Sequence, residues 1–208
     1  MSWTTNVMRW PVNEIFHSLQ GEGYHAGLPA IFIRFSGCNL CCEWCDTDHH
    51  SHRMMSDDEI VEQVLQWPDT PMVVLTGGEP ALQPELGELI HSIAMCREQE
   101  TYVCIETNGT RPLPAYGIDW VTLSPKTGVP GGDLQPVVLT QCEELKVVYT
   151  GQDLGQYDHI AAVHRYLQPC YVDDPVQRQA NIDATVQAVF DNPGWQLSLQ
   201  LHRILNIK

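Results

Sequence analysis

An α/β fold built on a parallel sheet or barrel, with an incomplete (β/α) barrel of about six parallel strands as the form expected at this length, follows from three observations. Short apolar runs rich in Ile, Val and aromatics alternate with stretches of helical periodicity, the pattern of βαβ units. Those runs are apolar almost throughout, as expected of strands covered on both faces. The chain has 208 residues, enough for one domain (1–208) but short of the ~250 typical of an eight-fold barrel.

The elements are read in order. Ala30 to Phe35 is the first expected strand. Ser56-Asp57-Asp58-Glu59 is a capping box, which should start a helix running to about Trp67. Met72 to Leu75 reads as a strand, and Leu86 to Cys96 as a helix. Tyr102 to Glu106, Trp120 to Leu123 and Leu145 to Tyr149 are further strands, with Gly128 to Gly132 between them as a surface loop or lid. Ala180 to Phe190, after Pro175, has helical spacing, and Gln196 to His202 alternates like a last strand. No repeat, low-complexity segment or linker marks a second domain.

Charge narrows the partners. Eleven basic against 26 acidic residues give a net charge of −15. Nucleic acids and anionic membranes need clustered Lys and Arg, so neither is an expected partner, and a small molecule is the expected substrate. No run of 18 apolar residues exists to span a membrane, and Met1 to Trp10 has no basic region followed by an apolar run. A cytoplasmic location is expected.

The polar motifs fall where an active site would need them. A cysteine-rich loop follows Ala30–Phe35, Thr76-Gly77-Gly78-Glu79-Pro80 follows Met72–Leu75, and Glu106-Thr107-Asn108-Gly109 closes the next strand. Ser124-Pro125-Lys126 follows Trp120–Leu123. In parallel α/β folds the C-terminal strand ends share one face, where ligands bind. Gly77 and Gly78 would let backbone approach a ligand closely and offer it N–H groups.

The cysteines define the chemistry. Cys38, Cys42 and Cys45 have the spacing C-x3-C-x2-C, three thiolates on one short loop. A cubane [4Fe–4S] cluster commonly takes four cysteines, so three leave one iron open to a small molecule. A structural zinc site is the alternative on spacing alone, with Cys41, His49, His50 or His52 as a fourth ligand. Four cysteines within eight residues suit metal capture in a reducing compartment better than disulfides. Cys41 blurs the register, since C-x2-C is also read from Cys38.

The triplet resembles the cluster loop of the radical S-adenosylmethionine (SAM) enzymes, and that family spacing selects Cys42 over Cys41. Pro11 to Gly23, containing Leu19-Gln20-Gly21-Glu22-Gly23, and Gly27 to Arg34 closely resemble one family within them, the 7-carboxy-7-deazaguanine synthases of queuosine biosynthesis. The likeness continues through Cys38–Thr47, Thr76–Pro80, Glu106–Gly109, Ser124–Lys126 and Leu197–Ile207, covering essentially the whole chain. It implies a lyase that converts 6-carboxy-5,6,7,8-tetrahydropterin to 7-carboxy-7-deazaguanine with loss of ammonia, using a [4Fe–4S] cluster, SAM and Mg²⁺. It implies Cys38, Cys42 and Cys45 as iron ligands and Thr47 as the one protein ligand of Mg²⁺. SAM would meet Trp44, Cys45, Asp46, Gly78, Ser124, Pro125 and Lys126; the pterin would meet Leu19, Gln20, Gly21, Arg34 and Thr76. It further implies a homodimer and a flavodoxin- or ferredoxin-type reductant. No side-chain acid or base stands out. Gln168-Pro169 and Gln200-Leu201-His202 match the family only loosely.

Overall fold

The computed structural model describes residues 8–45, 51–97, 100–132 and 134–208. Its strands are β1 (Trp10–Leu19), β2 (Pro29–Phe35), β3 (Arg53–Met55), β4 (Met72–Gly77), β5 (Tyr102–Thr107), β6 (Trp120–Leu123), β7 (Gln141–Tyr149), β8 (Ala161–Pro169) and β9 (Gln196–Leu197). The helices are α1 (Asp57–Val64), α2 (Leu86–Met95), α3 (Pro175–Asp191) and α4 (Leu201–Leu205). All nine strands form one sheet in the order β3-β1-β2-β4-β5-β6-β7-β8-β9. From β2 to β9 every pairing is parallel, while β1 lies antiparallel between β2 and β3. With β9 only two residues long, six full strands make the parallel part, and the incomplete barrel expected from sequence is what forms.

The period-two alternation of each strand sorts the core. Ile31, Ile33 and Phe35 of β2, Val73 and Leu75 of β4, and Val103 and Ile105 of β5 face outward. They pack with Ile60 and Val64 of α1 and Leu86, Leu89, Ile90 and Ile93 of α2. Leu145, Val147 and Leu167 do the same with Ala188 of α3 and with Trp195 on the other half. The inward set, Phe16, Ala30, Phe32, Met72, Val74, Cys104 and Trp120, fills the lower barrel. Above it the inward positions turn polar, so the upper barrel becomes a site.

α1 begins as its capping box predicts: Glu59 N donates to Ser56 Oγ at 3.2 Å, and Ser56 N to Glu59 Oε2 at 2.8 Å. α3 starts earlier than its apolar spacing indicates, at Pro175, with Asp174 Oδ1 accepting from Gln177 N at 2.7 Å. The expected strand Gln196–His202 stops at Leu197. From there Ser198 N reaches Leu167 O at 2.8 Å and Leu201 N reaches Gly21 O at 2.9 Å. The C-terminal segment thus crosses the open edge of the barrel to the end of β1. Gly128–Gly132 is a surface loop with Gly128 and Pro130 exposed, and it is anchored: Val129 is buried, and Cys41 N donates to Gly131 O at 3.0 Å. No described helix is long and apolar enough to cross a membrane.

Candidate active site

The C-terminal strand ends converge on one cavity of about 260 Å³. Cys38, Cys42, Trp44 and Cys45 line it with Gly78, Ser124 and Lys126, and so do Leu19, Gln20, Arg34 and Thr76. Eleven of the sequence-assigned residues therefore line one space. Gly21 and Pro125 are not among its lining residues, and Asp46 and Thr47 lie outside the described residues, as do His49 and His50. Cys41 is exposed and absent from the wall, while Cys42 faces in.

Backbone geometry explains the glycines. Gly77 has φ +112, and a Cβ there would run into the Phe35 backbone. The Gly78 N–H donates to Phe35 O and the Glu79 N–H to Gly37 O, both at 2.9 Å. The Gly78 N–H is therefore spent on the end of β2 rather than offered to a ligand as expected from the sequence, and the Glu79 N–H ties the turn to the cysteine loop. Gly21 is needed for another reason: any side chain there would collide with His202.

The thiol wall fits a cluster. None of the eight cysteines, all among the described residues, is in a disulfide. Burial pushes the Cys38 and Cys42 thiols up, and Cys45 adds to both shifts. Among the described residues no three Cys, His, Asp or Glu side chains close on a single ion. Three thiols lining one cavity suit a cubane, where each thiolate takes a different iron. Beside the thiols, Trp44 Nε1 is a buried donor with no partner among the described residues. Lys126 Nζ stands 5.5 Å from the Trp44 ring centroid and is held by Ser124 O at 2.8 Å. Burial, with Lys146 nearby, lowers the Lys126 pKa. An unpartnered donor and a desolvated ammonium form a receptor for a small anion such as a carboxylate.

The floor holds residues that the sequence reading left outside the assigned site. Lys146, from the middle of β7, is buried and bonds Glu22 Oε2 at 2.5 Å and Glu106 Oε1 at 3.5 Å. Gln168 and Gln200 donate to Glu22 Oε1 at 3.0 and 2.9 Å. Glu106 also accepts from Gln20 Nε2 at 3.2 Å and Thr76 Oγ1 at 2.8 Å. Burial raises the Glu22 carboxyl, but Lys146 and the Gln200 bond outweigh it and hold it at about 2. Burial opposes the Lys146 charge too, yet Glu106, Glu22 and Glu144 raise its pKa above the ordinary lysine value. Gln20 is tied at both ends, since its Oε1 accepts from Glu22 N at 3.1 Å. Arg34 Nε pairs with Glu14 Oε1 at 3.2 Å, and Lys208 Nζ with Glu14 Oε2 at 2.7 Å.

In a chain of net charge −15, Lys126, Lys146 and Lys208, which are all the lysines present, line this one cavity with Arg34 and Arg203. Such concentration of cations marks a site for anionic ligands. One signal in the sequence pointed here: Lys146 is a lone cation inside the apolar run Leu145–Tyr149.

A mostly parallel barrel with three thiols at the mouth defines a radical SAM protein, and the sequence model of the Radical SAM superfamily matches residues 32–138. These proteins use a [4Fe–4S] cluster and SAM. A 7-carboxy-7-deazaguanine synthase of Bacteroides thetaiotaomicron is 50% identical over 199 residues, 95% of this chain and 98% of that protein. One of Caulobacter vibrioides is 37% identical over 96% of this chain and 100% of its own. The crystal structure of QueE from Escherichia coli superposes with a TM-score of 0.71 at 27% identity, covering 93% of this chain and 95% of that one. The chain belongs to the 7-carboxy-7-deazaguanine synthase family.

Proposed function

We propose that this enzyme converts 6-carboxy-5,6,7,8-tetrahydropterin to 7-carboxy-7-deazaguanine with release of ammonia, in queuosine biosynthesis. The observation that carries the reading is one cavity lined by three thiols together with Arg34, Thr76 and Glu106. Cys38, Cys42 and Cys45 would hold the cluster, and Trp44, Cys45, Asp46, Gly78, Ser124, Pro125 and Lys126 would hold SAM. When bound, the cluster and SAM supply the hydrogen-atom chemistry, and Mg²⁺ at Thr47 supplies a Lewis acid.

The remaining residues bind and orient. Lys126 balances the SAM carboxylate while Trp44 Nε1 donates to an acceptor. Arg34 takes the substrate carboxylate with its fork of donors. Leu19, Gln20 and Gly21 shape the pterin seat, and Thr76, whose hydroxyl proton goes to Glu106, keeps its lone pairs for the ligand. Phe16 and Phe32, stacked with centroids 4.9 Å apart, give the seat an apolar base. A cytoplasmic homodimer served by a flavodoxin- or ferredoxin-type reductant completes the proposal.

The test is anaerobic reconstitution with iron and sulfide, then dithionite, SAM, Mg²⁺ and the tetrahydropterin, followed by mass spectrometry. Formation of 7-carboxy-7-deazaguanine is expected; SAM cleavage without a deazapurine would refute the substrate. Arg34→Ala should raise KM about ten- to a hundredfold, the value of a charge-assisted hydrogen bond, with a smaller change in kcat. An unchanged KM would remove Arg34 from the carboxylate site.

A further inference from the structure

We propose that Asn108 is a positioning residue for the iron–sulfur cluster, aiming an amide N–H at the Cys38 sulfur so that this ligand is oriented and the reduced cluster is favoured. The inference rests on the reading that Cys38, Cys42 and Cys45 hold a [4Fe–4S] cluster. Asn108 lies in the loop after β5 and is buried. Its Oδ1 accepts from Thr110 N at 2.9 Å and from Thr110 Oγ1 at 2.7 Å. Two donors on one end identify the oxygen, so the amide nitrogen must face the other way. That nitrogen stands 3.1 Å from Asn39 Oδ1 and 3.9 Å from Cys38 Sγ.

The arrangement is fastened from both sides. Asn39 Nδ2 donates to Thr110 Oγ1 at 2.7 Å, closing a ring of three side chains between the cysteine loop and the β5 loop. Behind them Glu79 is fully buried and accepts from Asn108 N and Thr107 Oγ1, each at 2.7 Å. Leu40 N adds a second N–H, 3.4 Å from Cys38 Sγ.

The chemistry follows from charge. A neutral thiol is a weak acceptor, whereas a thiolate on iron carries negative charge and draws N–H donors. Adding an electron makes the cluster more negative, so donors at its sulfurs favour reduction. Second-shell partners of this kind also orient the ligand itself.

Anaerobically reconstituted parent, Asn108→Ala and Asn108→Asp proteins are titrated with dithionite in the presence of mediators, following the EPR signal of the reduced cluster. Both variants should show a more negative midpoint. The shift should be larger for Asp, which cannot donate and adds a charge: at least tenfold in the reduced-to-oxidised ratio, about 59 mV for one electron. Iron content is measured first. A parent that loads no cluster overturns the underlying reading; a parent and variants with equal iron and equal midpoints overturn the role of Asn108 alone. A variant that melts like the iron-free parent yet loads less iron supports the orienting role. If both variants fail to fold, Asn108→Ser, which keeps a hydroxyl in the buried ring but is too short to reach the Cys38 sulfur, should give the same negative shift, and an unchanged midpoint there overturns the proposal.

Discussion

Lys146→Met is expected to cost about 3–5 kcal/mol of folding stability, the penalty for removing one partner of a buried ion pair. Glu22 and Glu106 would keep their places on β-barrel and loop backbone while losing the cation between them. Gln168 and Gln200 can still donate to Glu22, but neither carries charge. Urea unfolding of iron-free parent and variant measures the difference; a midpoint unchanged within error would sink the account. Acid adds a second signature. The Glu22 carboxyl falls from 4.5 to about 2 on folding, so its contribution is present above about 4.5 and is lost as pH falls to about 2. The parent should therefore lose stability more steeply than Lys146→Met across that window, because the variant lacks the pairing to begin with. Lys146→Arg should recover part of both effects.

Cys42→Ala should abolish cluster retention and product formation, whereas Cys41→Ala should leave both near the parent level. The two thiols are neighbours in sequence but not in environment. Cys42 lines the cavity and its thiol responds to Cys38 and Cys45, while Cys41 is exposed and its backbone is docked on Gly131. Iron per chain and the visible absorption of the reconstituted proteins decide the matter. Loss of the cluster in Cys41→Ala with retention in Cys42→Ala would shift the register to C-x2-C-x3-C and overturn the assignment.

The buried strands were legible because burial on two faces leaves a plain apolar run, as in Met72–Leu75 and Trp120–Leu123. The first strand, Trp10–Leu19, was not read as one: it mixes Asn13, Glu14 and His17 with apolar residues because it lies antiparallel beside the parallel set. Ala161–Pro169 escaped notice for a similar reason, with His164 and Arg165 interrupting its pattern. Much of the cavity wall was legible because motifs follow strand ends, and each strand end opens on the same face. Its floor was not, since Glu22, Glu106, Lys146, Gln168 and Gln200 sit far apart in sequence and meet only through the curl of the sheet. No local spacing encodes a contact between residues 22 and 200.

The bridge between Gly21 and Leu201, with Ser18 Oγ donating to Lys208 O at 2.5 Å, has a consequence for biogenesis. The ribosome delivers residues in order, so a contact between early and late residues waits for the later one. The cysteine loop and the glycine turn that braces it are complete long before residue 198 is made, so the thiol wall can assemble on a nascent chain. The floor cannot, because Glu22 waits for Gln200 and Gly21 for Leu201. Synthesis thus separates the two halves of the cavity in time: the residues that would hold iron are delivered first, and the floor closes only once Gln200 and Leu201 have been made.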